Sequence, residues 1–344
     1  MSTKVELFFE NGTRRLHFFS IFFAIVILTM FRGSKFAHCE AMKRARYHLA
    51  LAVANILFGA NFSIYVSLMH SGIDFRQIFM LQIVAAALFF IPRMLTVRHA
   101  RLSVEDFGTI FIVALLVIYG WLYMLLWGAS STNAIDASMI STLGPVFTLL
   151  AARIFHSERL SWLRIIGIVT ALAGAAVLLV DEGRNLVGNP LEAYGNALVL
   201  CAVVAIAVNT LLIRAQLRQY GVTVVMGWYY TIGFLMTVPF FWPQLAALDA
   251  HLLTPTVVAE LLYVMILGTV LPMYLLYVGT EHLTATHTAL YRYLQFVVAT
   301  LLTLLRGQSS IDRANVVGAA LIFVGIVAVA LGAHRKMHNY GTGS

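Results

Sequence analysis

The sequence predicts an all-α integral membrane protein, with ten transmembrane helices arranged as two inverted five-helix repeats. Three observations predict it. The 344 residues are 60% hydrophobic and 11% charged, less than half of the roughly 25% charge that wets the surface of a soluble domain. Ten apolar runs are long enough for a bilayer core about 30 Å thick, which takes about 20 residues per helix. The chain also matches itself when shifted by about 150 residues, the mark of an internal repeat. The same composition excludes disorder. Cys39 and Cys201 offer neither a disulfide framework nor metal spacing. The net charge of +8 is scattered in short groups between apolar runs, so no basic face for nucleic acid exists.

Residues 1–41 form a leader. Within it the apolar run 16–31 follows Arg14 and Arg15 and precedes Arg32 and Lys35. The run fits a signal peptide, an extra amino-terminal helix, or translated sequence upstream of a start at Met42. Only Ala37 and Cys39 are small residues at cleavage-site separation. Met42-Lys43-Arg44-Ala45-Arg46, directly before the first clear span, reads as a natural amino terminus. The ten spans then fall at 47–70, 74–95, 106–127, 133–153, 162–180, 194–214, 222–243, 257–278, 284–305 and 313–332. Continuously apolar stretches such as 165–180 lack the alternation of barrel strands. The connections are too short for a soluble domain, and 333–344 is a tail. Placing the start of the first span in the cytoplasm puts 13 Lys and Arg residues on that side and 4 outside. That bias predicts a cell (plasma or inner) membrane protein with both ends of the ten-helix core cytoplasmic.

The repeats are 47–180 and 194–332. Ile165-Ile166-Gly167 with Gly174 aligns with Val316-Val317-Gly318 and Gly325 at an offset of 151. Tyr123 falls on Tyr274 at the same offset, Gly72 on Gly221 at 149 and Asn61 on Asn209 at 148. Five spans per unit is an odd number, so the second copy enters the membrane from the opposite side. Inverted repeats characterise secondary transporters, whose substrate site lies between the halves near the midplane. The first copy reads Leu143-Gly144-Pro145-Val146-Phe147, then Ser157-Glu158-Arg159-Leu160, then Ile166-Gly167 and Gly174; the first span carries Leu57-Phe58-Gly59-Ala60-Asn61-Phe62. In this order the motifs resemble the EamA-type permeases of the drug/metabolite transporter superfamily, over essentially the whole core. The second copy departs from the pattern, with Phe296 where the first has Pro145 and Ser309 where it has Glu158. The resemblance implies ten helices and transport of small metabolites or drugs, often exported and often amino-acid-like.

Ionisable groups at mid-membrane cost from about 2.5 kcal/mol upward and usually face a cavity. Arg292 is the clearest, about 12 Å from the end of its span at about 1.5 Å per residue. Thr284, His287, Thr288, Tyr291, Arg292 and Gln295 fall within an arc of about 140°, with Leu290, Leu294, Val297 and Leu301 opposite. One polar face reads as cavity lining, and Arg292 suits a carboxylate or phosphate. In the fourth span Ser138, Ser141, Pro145 and Thr148 share an arc of about 80°, Ser141 matching Arg292 by offset. Small hydroxyl residues serve helix packing as readily as binding. Pro145 frees a carbonyl and permits a bend, which makes it the candidate gating residue. Asn61 and Asn209 are candidate substrate contacts or interhelical ties. Trp121, Tyr123 and Tyr274 lie deep enough to line a cavity. Asp136, three residues after Asn133, has capping-box spacing, and Glu260 stands in a helix's first turn. Gly167 with Gly174, and Gly318, Gly325 and Gly332, form close-packing stripes.

These residues predict a secondary transporter working by alternating access on a small anionic or zwitterionic solute. No metal or other cofactor is expected. Its partners would be that solute and the lipid bilayer, with the protein acting as a monomer or homodimer. No motif for an enzyme appears. The alternative is a membrane enzyme acting on a lipid, with residues drawn from loops such as the cluster His70, Asp74 and Arg76.

Overall fold

The computed structural model describes residues 38–97, 102–132, 134–141, 162–181, 190–283 and 291–306, most positions of 143–151, Thr288 and part of 317–328. The expectations for 1–37, including the apolar run 16–31, lie outside the described residues. By packing, the chain parts into Met1–Arg46 and Tyr47–Ser344. In the first unit the described residues, from His38, are helical; the second unit carries the remaining helices.

Helices α1 (His38–His70), α2 (Phe75–Thr96), α3 (Val104–Ala129), α4 (Ala134–Ser141), α5 (Trp162–Asp181), α6 (Pro190–Leu212), α7 (Val222–Ala246), α8 (Pro255–His282) and α9 (Tyr293–Leu305) follow in order. A short helix, Arg214–Tyr220, joins α6 to α7, and described positions in 317–328 are again helical. Among the described residues no strand occurs. That is what a hydrocarbon environment demands of a chain without a closed barrel, because helices satisfy their own backbone polar groups. Six of these helices are long and apolar enough to cross a membrane. Their outward positions carry large apolar side chains: Leu88, Leu95 and Phe240 are 71%, 73% and 71% exposed. Such faces belong against lipid.

The ends of the helices are written in the sequence. Asp74 accepts from Arg76 N–H at 2.7 Å, and the Gln77 side chain accepts from Asp74 N–H at 2.9 Å, a capping box that starts α2. Ser103 caps α3 and Thr254, followed by Pro255, caps α8. The tight turns before α2 and α7 use Gly72 and Gly221 at φ 92° and 77°, a left-handed backbone open to glycine. Arg214 donates to the carbonyls of Thr280 and Leu283 at the carboxyl end of α8, where a cation is favoured.

Both long helices α3 and α8 contain an eight-residue π segment, Leu116–Tyr123 and Tyr263–Val270. A π turn inserts one residue into the helical register and leaves backbone groups free for side chains. In α8 Thr269 Oγ1 donates to the Val264 carbonyl at 2.8 Å, and Gln82 Nε2 from α2 donates to Thr269 Oγ1 at 2.6 Å and to the same carbonyl at 3.3 Å.

Packing is reciprocal. α2 lies against α7 and α4 against α9. α3 packs on α6 and α7, while α8 packs on α2. Asn61 of α1 donates to the Gly268 carbonyl of α8 at 2.8 Å, and Asn209 of α6 donates to the Val113 carbonyl of α3 at 3.2 Å. Close approaches repeat the exchange: a Cβ on Gly128 would fall 2.7 Å from Val199 Cγ2, and one on Gly279 would collide with the Leu51 side chain. The glycine stripe also packs as expected, Gly325 standing against the Gly167 carbonyl and Ala171 of α5.

Candidate functional site

Span four gives way at its middle, and the residues before α9 form a turn at the matching place. α4 ends at Ser141, where Leu143 N–H donates to the Ile140 carbonyl at 3.0 Å. Helical bonding resumes with Phe147 N–H to Leu143 O at 3.1 Å. Opposite it, Tyr291 and Arg292 form a turn in which Leu294 N–H donates to Tyr291 O at 3.1 Å and Gln295 N–H to Arg292 O at 3.0 Å. α9 starts at the next residue. Broken helices are where transporters expose backbone and helix ends to a solute.

Arg292 lies across Gly144: a Cβ on Gly144 would stand 3.0 Å from Arg292 Cδ and 3.4 Å from Nε. The arginine is 7% exposed. Among the described residues no hydrogen bond or ion pair engages its guanidinium. A buried cation with no partner is costly, and the α9 amino terminus beside it adds to the positive potential. An anion placed there would relieve both.

The cavity that Arg292 faces is walled by Phe58, Asn61, Phe62 and Tyr65 of α1, by Trp121 and Leu125 of α3 and by Val203 and Ile206 of α6. Ser141 and Gln295 complete the wall. The Phe58 and Trp121 rings meet edge to face, centroids 5.7 Å apart. About 20 Å³ is open, room for a water molecule or so.

Of the residues expected to form a site, Arg292, Gln295, Asn61, Ser141 and Trp121 come together on this wall. Tyr291 shares a hydrogen bond with His48 at 3.1 Å instead. Ser138 is buried in α4. Asn209 donates to Val113 O and accepts from Tyr277 Oη at 3.0 Å, as an interhelical tie. Tyr123 belongs to an aromatic cluster with Phe79 and Phe241, at 5.2 and 5.5 Å, and Tyr274 stacks near Phe90 at 6.4 Å. His287 and Pro145 lie outside the described residues, as do Thr284, Glu158 and Ser309.

Several contributors escape sequence reasoning. Gly144 stands in the sequence only within the motif Leu143-Gly144-Pro145-Val146-Phe147, and its contact with Arg292 emerges from the fold. Gln82, a lone amide in an apolar run, carried a signal; it also donates to Tyr65 Oη at 2.9 Å, joining Asn61, Tyr65 and Thr269 in one network. Glu260 is more than a helix-end charge: it is buried, accepts from Ser67 at 3.0 Å and pairs with Arg306 at 2.8 Å. Asp136 is buried, and its expected capping partner Asn133 lies outside the described residues. In the loop cluster raised for a lipid enzyme, Asp74 serves as the α2 cap, held to Arg76.

Comparison with known proteins supplies the remaining findings. The pattern of the EamA-like transporter family matches residues 45–180 and again 193–331. The chain is 21% identical over 230 residues to the uncharacterized transporter YetK of Bacillus subtilis, covering 67% of each protein. It is 24% identical to an uncharacterized transporter of Archaeoglobus fulgidus, over 44% of this chain and 52% of that one. It is 29% identical to the probable terminal-alkyne amino-acid exporter of Streptantibioticus cattleyicolor, over 42% of this chain and 48% of that one. The chain thus spans about half the length of these last two relatives. A solved crystal structure of a protein 17% identical superposes with a TM-score of 0.59, covering 84% of this chain and 97% of that one; it shares the fold.

Proposed function

The chain belongs to the EamA-like transporter family and is a multi-pass membrane transporter, and from that premise we propose that it is a secondary transporter of a small carboxylate-bearing metabolite, anionic or zwitterionic. It works by alternating access, as a monomer or homodimer, in the direction of export. One observation carries the substrate reading: a buried guanidinium with no partner among the described residues faces a cavity inside a membrane protein. Such a charge is held at a cost that an anionic ligand relieves.

Ten helices in two inverted repeats are the architecture of this proposal. The family pattern occurring twice supports it. So do the exchanged contacts of α1 with α8 and α6 with α3, and the two positive-φ glycines 149 residues apart. The similarity to a probable amino-acid exporter supports both the solute class and the direction.

The test is counterflow in proteoliposomes against a panel of organic acids and amino acids, with and without a pH gradient. Arg292→Ala, inserted and melting like the parent, is expected to abolish exchange. Parental flux in that variant removes Arg292 from the site, and lipid turnover without exchange of any solute overturns the transporter reading.

A further inference from the structure

We infer that the cavity at Arg292 takes an organic anion with one carboxylate on an apolar body, and discriminates against the zwitterion of the same size. This rests on the reading of the cavity as the transporter's substrate site and narrows the solute class it takes.

Charge balance favours a monoanion. Arg292 is the formal charge on the cavity wall; no Asp, Glu, Lys or His lines it among the described residues. One carboxylate brings the occupied site to neutrality. A zwitterion leaves its ammonium uncompensated, and a phosphate monoester leaves an excess negative charge. An uncompensated charge inside the bilayer costs from about 2.5 kcal/mol upward. That penalty applies to every step in which the site is closed to water.

Most neutral amide and hydroxyl groups on the wall are already engaged. The Asn61 amide donates to Gly268 O at 2.8 Å and Tyr65 Oη at 3.2 Å. Its Oδ1 is buried against Gly268, so closely that a Cβ there would strike it. Gln295 Nε2 donates to Asn55 Oδ1 at 2.8 Å, and the Ser141 hydroxyl donates to the Ala137 carbonyl at 2.8 Å. Asn61 and Gln295 tie helices together, and Ser141 is bonded within its own helix. Among the described residues the charged donor on the wall is the guanidinium, joined by the neutral Trp121 indole N–H and Tyr65 hydroxyl, and the acceptors left, Gln295 Oε1, Ser141 Oγ and Tyr65 Oη, are neutral. A carboxylate is matched by a planar fork of donors; an ammonium finds no counter-charge.

The rest of the lining suits a hydrocarbon body. Away from Arg292 the wall is mostly apolar, with Phe58, Phe62, Trp121, Leu125, Val203 and Ile206 beside Asn61 and Tyr65, and it offers burial to a hydrocarbon body and no counter-charge to a further charged group.

A matched series tests this with the full-length protein in nanodiscs and proteoliposomes. 4-Methylpentanoate carries the carboxylate alone, leucine adds the ammonium, 3-methylbutylamine keeps the ammonium alone, and 4-methylpentanamide has neither charge. Binding is read from tryptophan fluorescence and exchange from counterflow. The expected result is that 4-methylpentanoate binds and exchanges with at least about a tenfold preference over leucine, the equivalent of about 1.4 kcal/mol. The amine and amide do not compete. Arg292→Ala loses the binding by about 10- to 100-fold, and Arg292→Lys retains part of it. Leucine binding as well as 4-methylpentanoate, in an Arg292-dependent way, overturns this inference and leaves the transporter reading standing. Exchange of a solute elsewhere in the panel, with no binding of any of the four, likewise overturns this inference alone. Absence of binding and exchange for every solute overturns both.

Discussion

Gly144 decides where the Arg292 side chain can lie. A methyl group there would stand 3.0 Å from Cδ, tight enough that the arginine must shift by a few tenths of an ångström. Gly144→Ala is therefore expected to raise several-fold the solute concentration for half-maximal counterflow, without lowering the melting temperature. An unchanged concentration dependence tells against a positioning role. Glu260 offers a contrast, since its pairing with Arg306 and Ser67 is structural. Glu260→Gln should cost about 1–2 kcal/mol of stability, seen as a lower melting temperature that salt no longer influences; unaltered salt dependence would show the pair to be inert. Arg292 was legible in the sequence because charge is so scarce in the spans that one arginine on a polar arc stands out. Gly144 was not, because nothing in a one-dimensional pattern says that span four lies against span nine.

At the level of helices, apolar length is easy to read and internal breaks are not. The start of α2 at Phe75 and the start of α7 at Val222 fall within one residue of expectation because Asp74 and Gly221 punctuate the chain. The π segments left no trace in the sequence, since both lie in stretches that are apolar all round and a one-residue slip moves no polar marker. In α8 the segment shows itself in a freed carbonyl and a hydroxyl five residues on, Val264 and Thr269. Thr269→Val keeps the shape and removes that hydroxyl from Gln82 and Val264, so it should destabilise the protein by about 1 kcal/mol. Thermal unfolding that matches the parent would mean the segment holds itself. Pro145, the proposed gating residue, is the counterpart at span four: Pro145→Ala should slow exchange while leaving equilibrium binding of 4-methylpentanoate intact. Full-rate exchange in that variant ends the gating role.

For the molecule as a whole, the basic residues make a topological statement that labelling can check. With Cys39 and Cys201 replaced by serine, single cysteines at positions 98 and 218 should be shielded from an impermeant maleimide in intact cells, and those at 184 and 313 should react. The opposite pattern inverts the proposed orientation. The internal repeat was readable from a few matched residues, Asn61 with Asn209 and Gly72 with Gly221. What those residues bond to could not be read, because each asparagine ties its own helix to a helix of the other half, and sequence offset carries no information about partners in space. Where the halves differ is equally informative. Arg292 falls on Ser141 at the repeat offset, so of two matched positions one alone carries the cationic anchor of the proposed site. A solute held by that anchor has one favoured way to lie, its carboxylate toward the α9 end of the cavity and its hydrocarbon toward α1, α3 and α6. Under the proposed function the solute keeps that heading for as long as Arg292 holds it.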